Sequence, residues 1–134
     1  SERRRPQGRL TEVGSLPGMT TPVGPYSPVV RAGDWIITSG QLGIRDGKLV
    51  EGGVAAETAQ AMQNIATLLA QHGAELSDVV KTMCFLKTLD DFATFNEHYL
   101  AALGDHRPAR STVGDVAIAL GAVVEVEAWA YKPQ

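Results

Sequence analysis

The sequence alternates strictly between two kinds of residue over positions 122–131, close to its end. Small or branched apolar residues hold one set of alternate positions, namely Val124, Val126, Ala128 and Ala130. Charged and aromatic residues hold the other set, namely Glu125, Glu127, Trp129 and Tyr131. Because successive side chains of a strand point to opposite faces of its sheet, the pattern predicts a strand with one apolar face and one polar, aromatic face.

Earlier segments predict further strands and a hairpin. Aromatic and β-branched residues indicate strands at 26–31, 34–39 and Val79–Leu86. The pair Asp46-Gly47 is typical of the tight turn of a hairpin.

Two segments repeat apolar residues at the spacing of a helix. Positions 54–71 do so through the stripe Ala55, Ala59, Met62, Ala66 and Leu69. Glu57 lies off that stripe, and Gly73 is a plausible C-terminal cap. Positions 90–103 carry a second stripe, Phe92, Phe95, Tyr99 and Leu103, which we expect to be core.

This order of elements predicts an α+β fold in which two helices pack on one face of a mixed sheet. We expect one domain over 16–134, preceded at 1–15 by an N-terminal tail with a possible edge strand at 9–13. No helix remains to cover the other face of the sheet, so we infer that the chain associates with itself. The face that carries Trp129 and Tyr131 is the candidate interface.

The composition argues against several classes of protein. A net charge of -3 gives no bulk electrostatic affinity for nucleic acid. The single cysteine, Cys84, excludes an internal disulfide and is expected in the core, and His72, His98 and His106 lack the spacing of metal ligands. No apolar run approaches the roughly 20 residues of a membrane span, and no signal segment opens the sequence. We therefore expect a cytoplasmic protein without a metal, a membrane or a nucleic-acid partner.

Two short segments are candidates for binding a ligand, although each also has a purely structural explanation. GPYS at 24–27 fixes a turn that delivers Tyr26 at the start of a strand, and the alternative is a tyrosine of the core. SGQ at 39–41 ends an apolar strand, where the glycine allows another molecule to approach the backbone. The alternative for that segment is a β-bulge.

Arg110 is the candidate for binding an anion. It lies among small and apolar residues in PARSTV at 108–113. A buried guanidinium needs an anionic partner, and its planar fork fits a carboxylate through two parallel hydrogen bonds. The alternative is a structural ion pair with Glu125 or Glu127.

Glu125 and Glu127 are predicted to point the same way from the last strand, with Cα atoms about 6.5–7 Å apart. Two carboxylates at that distance can raise each other's pKa. Such pairs are also common on solvated faces, and no aromatic cleft supports a glycosidase. The spacing alone leaves their role open.

Taken together, these segments resemble the RidA (YjgF-type) family of imine deaminases over nearly the whole domain, from about position 23 to 131. The matching text comprises GPYS at 24–27, DWIITSGQ at 34–41, AMQN at 61–64, DVVKTMCFLKTLDDFATFNEHY at 78–99, PARSTV at 108–113 and VEVEAWA at 124–130. The resemblance implies a chorismate-mutase-like fold and a homotrimer with three sites at subunit interfaces. It also implies hydrolysis of 2-imino and enamine acids, such as 2-aminoacrylate, to 2-oxo acids and ammonia without a cofactor.

The resemblance further implies roles for individual residues. Arg110 would bind the substrate carboxylate and Glu125 would hold the attacking water as the catalytic residues. The implied substrate-binding residues are Tyr26, Ser39, Gly40, Asn96 and Thr112. Thr112 stands where many members of the family have a cysteine, which argues against thiol chemistry at that position.

The sequence departs from the family at Leu42-Gly43 and at Leu120-Gly121, where prolines are common, and both changes are expected to shape the rim of the pocket. Other functions remain open. The chain could bind a 2-oxo acid without turnover, which would need Arg110 equally. A ribonuclease or translation inhibitor is disfavoured by the negative charge and by the lack of a paired-histidine site.

Overall fold

The computed structural model describes residues 24–134. The predicted tail at 1–15 and its edge strand at 9–13 lie outside the described residues. Within them the chain forms seven strands and two α-helices. These are β1 (Val29–Ala32), β2 (Trp35–Thr38), β3 (Ile44–Arg45), β4 (Lys48–Leu49), α1 (Gly53–Ala70), β5 (Val79–Leu86), α2 (Phe92–Leu103), β6 (Ala109–Val113) and β7 (Val124–Tyr131).

Five strands form one mixed sheet in the spatial order β1-β2-β7-β5-β6. Strands β5 and β6 are parallel, and the other neighbours are antiparallel. Strands β3 and β4 form a separate hairpin whose turn residues, Asp46 and Gly47, both have positive φ, of 54° and 82°. That conformation is what a two-residue hairpin turn requires, so the prediction from the Asp-Gly pair is confirmed.

The apolar face of β7 lies in the core beneath the two helices, as the alternation predicts. Its apolar members are buried together with alternate residues of β5 and the inner sides of both helices, a group that includes Ile36, Ile65, Leu68, Leu86, Phe95, Val124 and Val126. Each fully buried side chain of this size contributes about 1.5–3 kcal/mol to folding. The predicted α+β arrangement, with both helices on one face of a mixed sheet, is thereby confirmed.

The opposite face of the sheet carries no helix within the described residues. It presents Met83 and Phe85 of β5, Trp129 of β7, and Trp35 packed edge-to-face against Tyr131 with ring centroids 5.1 Å apart. Trp35 and Tyr131 are 42% and 44% exposed, so this face, which also carries Glu125 and Glu127, presents aromatic rings to solvent in the single chain.

The predicted stripe of α1 was wrong in part. The buried side of the helix runs through Thr58, Ala61, Met62, Ile65, Leu68 and Leu69, whereas Ala59 is exposed. Glu57, expected off the stripe, is only 5% exposed. Its Oε1 accepts a hydrogen bond from the Val123 backbone N–H at 2.9 Å, which explains how a carboxylate is accommodated there.

One further expectation needs correction. Phe92 is 40% exposed and is not a core residue, unlike Phe95, Tyr99 and Leu103 of the same stripe. Gly43 packs against α1, since a Cβ built on it would lie 2.5 Å from the Cα of Glu57, and its expected effect on the pocket rim stays a prediction.

We predict that Glu57→Ala lowers the free energy of unfolding by about 1–3 kcal/mol, because it leaves the Val123 N–H without an acceptor in the interior. Glu57→Gln should cost less, since its amide oxygen still accepts. The exposed Gln63→Ala on the same helix serves as the control. Urea unfolding at matched protein concentration measures all three, and equal losses for Glu57→Ala and Gln63→Ala would contradict the structural role of Glu57.

Candidate functional site

The Arg110 side chain lies between the edge of the sheet and helix α2. On β6, Arg110 pairs with Thr82 of the parallel strand β5, and Thr82 is buried beneath α2. Side chains paired in this way share a face of the sheet, so Arg110 points toward the helix. There its Nη1 donates a hydrogen bond to Oδ1 of Asn96 at 2.8 Å.

Three aromatic rings surround the Arg110 guanidinium. Its Cζ lies 5.6 Å from the ring centre of Phe92, 5.5 Å from that of Phe95 and 4.9 Å from that of Tyr99. A cation at such distances is attracted to the faces of aromatic rings. We call these three rings and Asn96 the arginine cage.

No carboxylate of the described residues forms an ion pair with Arg110, so the alternative of a structural pair with Glu125 or Glu127 is wrong. The cage supplies one neutral acceptor and three rings, and these leave the positive charge uncompensated. The guanidinium retains donors for an external anion, which matches what carboxylate recognition needs.

A cavity of about 320 Å³ opens beside this guanidinium. It is lined by Asn96, Tyr99, Leu100, Arg107, Pro108 and Arg110. Its volume lies at the lower end of the range for small-molecule sites. The cavity therefore suits a small organic acid.

Thr112 follows Arg110 on the same face of β6, opposite Cys84 of β5. Its Oγ1 is buried and has no hydrogen-bond partner among the described residues. A buried hydroxyl without a partner is costly, and an additional hydrogen-bonding group at this position would remove that cost. Arg110 with its partner Asn96, and Thr112 two residues farther along the same face of β6, make up the first cluster.

A second cluster lies around the bulge that follows β2. After Ile37 the pairing with β7 resumes at Gln41, opposite Val126, with the register shifted by one residue. Thr38 Oγ1 accepts a hydrogen bond from the Ala128 N–H at 3.1 Å within this bulge. The structural alternative for the SGQ segment is therefore confirmed, and it leaves open whether the bulge also serves a ligand.

Ser39 connects the bulge to the GPYS segment. Its Oγ donates a hydrogen bond to the Ser27 carbonyl at 2.6 Å, and its N–H donates to the Pro28 carbonyl at 2.8 Å. Tyr26, one residue before Ser27, is 48% exposed, so the alternative of a core tyrosine is wrong.

Gly40 lies against the carboxylate of Glu125. A Cβ built on Gly40 would lie 2.7 Å from the Glu125 Cδ, so only glycine leaves room for that side chain in its present place. Tyr26, Ser39, Gly40 and Glu125 therefore belong to one region of the structure.

Glu125 is half-buried, and burial raises its pKa above the usual range, with a further increase from the charge of Glu127. Burial alone raises the pKa of Glu127. The prediction that each carboxylate raises the pKa of the other is thus confirmed for Glu125 and not for Glu127. A carboxylate with a raised pKa is a better proton acceptor than an ordinary surface glutamate.

A single chain does not bring the two clusters together. Strands β6 and β2 are separated by β7 and β5, a distance of three strand spacings or about 14 Å. Glu125 pairs with Phe85 and lies on the open face, whereas Arg110 pairs with Thr82 and lies on the helix face. The body of the sheet stands between their side chains.

The arginine cage and Arg107 were not foreseen from the sequence. Phe92, Phe95 and Tyr99 were assigned to the core. Together with Asn96 they lie three or four residues apart along α2, a spacing that places their side chains over a common partner. His106 bonds through Nε2 to the Val79 carbonyl at 2.7 Å.

Within residues 24–134, no three His, Cys, Asp or Glu side chains come together as a metal site would require. No helix in that part of the chain is long and apolar enough to cross a membrane.

These features define the class: a small α+β protein with an uncompensated arginine at a cavity on the sheet edge. Residues 18–132 match the family described as Endoribonuclease L-PSP. A human protein named 2-iminobutanoate/2-iminopropanoate deaminase is 37% identical over 126 residues, which cover 92% of this chain and 90% of that protein. The chain belongs to this family, which is the RidA/YjgF family.

Solved structures agree with this assignment. RidA from the Antarctic bacterium Psychrobacter sp. PAMC 21119 is 39% identical with a TM-score of 0.79, and the match covers 82% of this chain and 90% of that one. TdcF from E. coli, crystallised with bound serine, is 28% identical with a TM-score of 0.78, over 83% of this chain and 91% of that one.

Cys84 is the sole cysteine, and it is fully buried on the helix face of the sheet, the face that also carries Arg110. Burial raises the pKa of its thiol to about 11. We predict that the folded protein at pH 8 reacts with Ellman's reagent only as fast as it unfolds, because neither thiolate nor access is available. The urea-unfolded chain is the control and should react at once. Rapid stoichiometric labelling of the native protein would show that Cys84 is not held in the core.

Proposed function

We propose that this protein is an imine deaminase that hydrolyses 2-imino and enamine acids, such as 2-aminoacrylate, to 2-oxo acids and ammonia. The observation that carries the proposal is the Arg110 guanidinium, which is held by neutral groups and borders a cavity of small-ligand size. Membership in a family that includes named imine deaminases supports it.

In this mechanism Arg110 binds the substrate carboxylate through two charge-assisted hydrogen bonds. Asn96 occupies Nη1, and the surrounding rings limit the positions that the guanidinium can take. The bound carboxylate fixes the adjacent electrophilic carbon, so that the attack of water loses little entropy. We assign Thr112 Oγ1, which has no hydrogen-bond partner among residues 24–134, to hydrogen-bond the substrate or the attacking water.

The chemistry is a hydrolysis. An enamine acid first takes up a proton at its terminal carbon and becomes the iminium form. Glu125 accepts a proton from a water molecule as the water oxygen bonds to the iminium carbon, which gives a carbinolamine. Glu125 returns this proton to the nitrogen, and the carbon–nitrogen bond breaks to release ammonia. The hydroxyl proton then passes to Glu125, and from it to solvent, as the carbonyl of the 2-oxo acid forms. Substrate and water supply every atom of the products, so the scheme calls for no cofactor.

We further propose that each site is shared by two copies of the chain in a homotrimer. One copy supplies Arg110, Asn96 and Thr112, and its neighbour supplies Glu125 with the Tyr26, Ser39 and Gly40 region. Two observations support this. The two clusters lie on opposite faces of one sheet, and the face that carries Glu125 also carries exposed aromatic rings that a second copy would cover.

A second candidate is a metabolite-binding module without turnover. The E. coli relative crystallised with bound serine favours it, because serine carries the same carboxylate next to a nitrogen-bearing carbon. Binding would need Arg110 but not the proton transfer assigned to Glu125.

The family's description as an endoribonuclease adds a third candidate function, which RNA cleavage unaffected by Arg110→Ala would support. Cytoplasmic location remains a prediction from composition.

We predict that Arg110→Ala lowers kcat/KM for 2-iminopropanoate on the order of a hundredfold or more, because the carboxylate loses its anchor. Arg110→Lys should recover only part of this loss, since an ammonium cannot bind in the forked geometry. The exposed Arg45→Ala, on the hairpin, is the matched control. The assay generates the imine from alanine with an amino-acid oxidase and measures ammonia release, and equal rates for Arg110→Ala and the original protein would refute the proposal.

The pH dependence of kcat/KM tests Glu125 separately. A base is active when ionised, so activity should fall as the pH drops through the raised pKa of Glu125. Glu127→Gln removes a charge that raises this pKa and should move the acid limb to lower pH. Glu125→Gln should abolish most activity. Glu51→Gln, at an exposed position, should change neither the activity nor the pH of the acid limb. An acid limb that Glu127→Gln leaves in place would exclude Glu125 as the group that titrates.

A further inference from the structure

We infer that the site accepts dicarboxylic 2-imino acids and that Arg107 binds their second carboxylate. The inference rests on the proposed function and names the substrate class of the same site. Its starting point is that two guanidinium groups, those of Arg107 and Arg110, line one cavity of about 320 Å³. The other lining residues, Asn96, Tyr99, Leu100 and Pro108, carry no charge.

Arg107 is held in place by the loop that leads into β6. Its Nη1 donates hydrogen bonds to the Gly104 carbonyl at 2.6 Å and to the His106 carbonyl at 2.9 Å. Both bonds use the same nitrogen, so Nη2 and Nε remain available for an anion. No carboxylate in the described part of the chain forms an ion pair with Arg107, although Asp105 is two residues away.

Both guanidinium charges act on the Tyr99 hydroxyl in the cavity wall. Burial raises the pKa of Tyr99, and among the smaller opposing effects are the charges of Arg110 and Arg107. Tyr99 lines the cavity, so both charges border the same space. Two like charges beside one cavity repel each other, and a ligand with two negative charges relieves that repulsion more fully than a ligand with one.

The arrangement along β6 gives the ligand an orientation. Thr112 lies beyond Arg110 on the strand, whereas Arg107 and Pro108 precede it. A substrate whose α-carboxylate is bound at Arg110 has its reacting carbon next to that guanidinium and can extend its side chain through the cavity to Arg107. A second carboxylate at the end of that side chain meets the free nitrogen atoms of Arg107.

The experiment compares a dicarboxylic imine, 2-iminoglutarate, with the monocarboxylic 2-iminopropanoate, each generated by an oxidase from its amino acid. Arg107→Gln should lower kcat/KM for 2-iminoglutarate by about ten- to a hundredfold and leave 2-iminopropanoate within about twofold. Arg107→Lys should restore part of the loss, and Arg110→Ala should lose both activities. Arg45→Ala controls for the removal of a surface charge.

Equal losses on both substrates, or no loss on either, would overturn the role of Arg107 while leaving the deaminase proposal intact. If the original protein deaminates neither imine, the proposed function fails. Calorimetric binding of 2-oxoglutarate and 2-oxobutanoate then tests whether Arg107 binds a second carboxylate. Weaker binding of 2-oxoglutarate alone in Arg107→Gln would support the site without turnover. Unchanged binding of both acids would overturn it.

Discussion

The Arg110 guanidinium is the group on which the account depends, because its surroundings stabilise a cation without neutralising it. Three aromatic faces and one amide oxygen contact it, and a cavity borders its remaining side. An internal carboxylate would have satisfied the charge and closed the site. The cage also links fold to function, since Phe95 and Tyr99 contact Arg110 and pack into the core at the same time.

The two unlike faces of the sheet explain why the proposed site residues are divided. Strict alternation along β7 buries Val124 and Val126 beneath the helices and thereby places Glu125 on the open face. The parallel pairing of β6 with β5 places Arg110 on the helix face. This division is the reason why we propose a second copy of the chain for a reaction that uses both side chains, and the exposed aromatic rings of the open face offer a surface for it.

Much of the fold could be predicted because its signals are local. The alternation of β7 and the Asp-Gly turn depend on neighbouring residues only, and both predictions were confirmed. The stripe of α1 was partly wrong because alanines fit either side of a helix, and the burial of Glu57 depends on an N–H 66 residues away. Resemblance supplied the identities of the proposed site residues. Their division between two faces follows from strand pairing, which no local pattern reveals.

The most direct test of the shared site mixes two inactive variants. Arg110→Ala and Glu125→Gln each remove one half of the proposed site. The two purified proteins are unfolded together, refolded in equal amounts and assayed for deamination, beside each variant refolded alone. If sites form between copies, random assembly pairs an intact Arg110 with an intact Glu125 in about a quarter of them, and a corresponding fraction of the original activity returns. If both residues act within one chain, no site is intact, and mixtures as inactive as the separate variants would contradict the account.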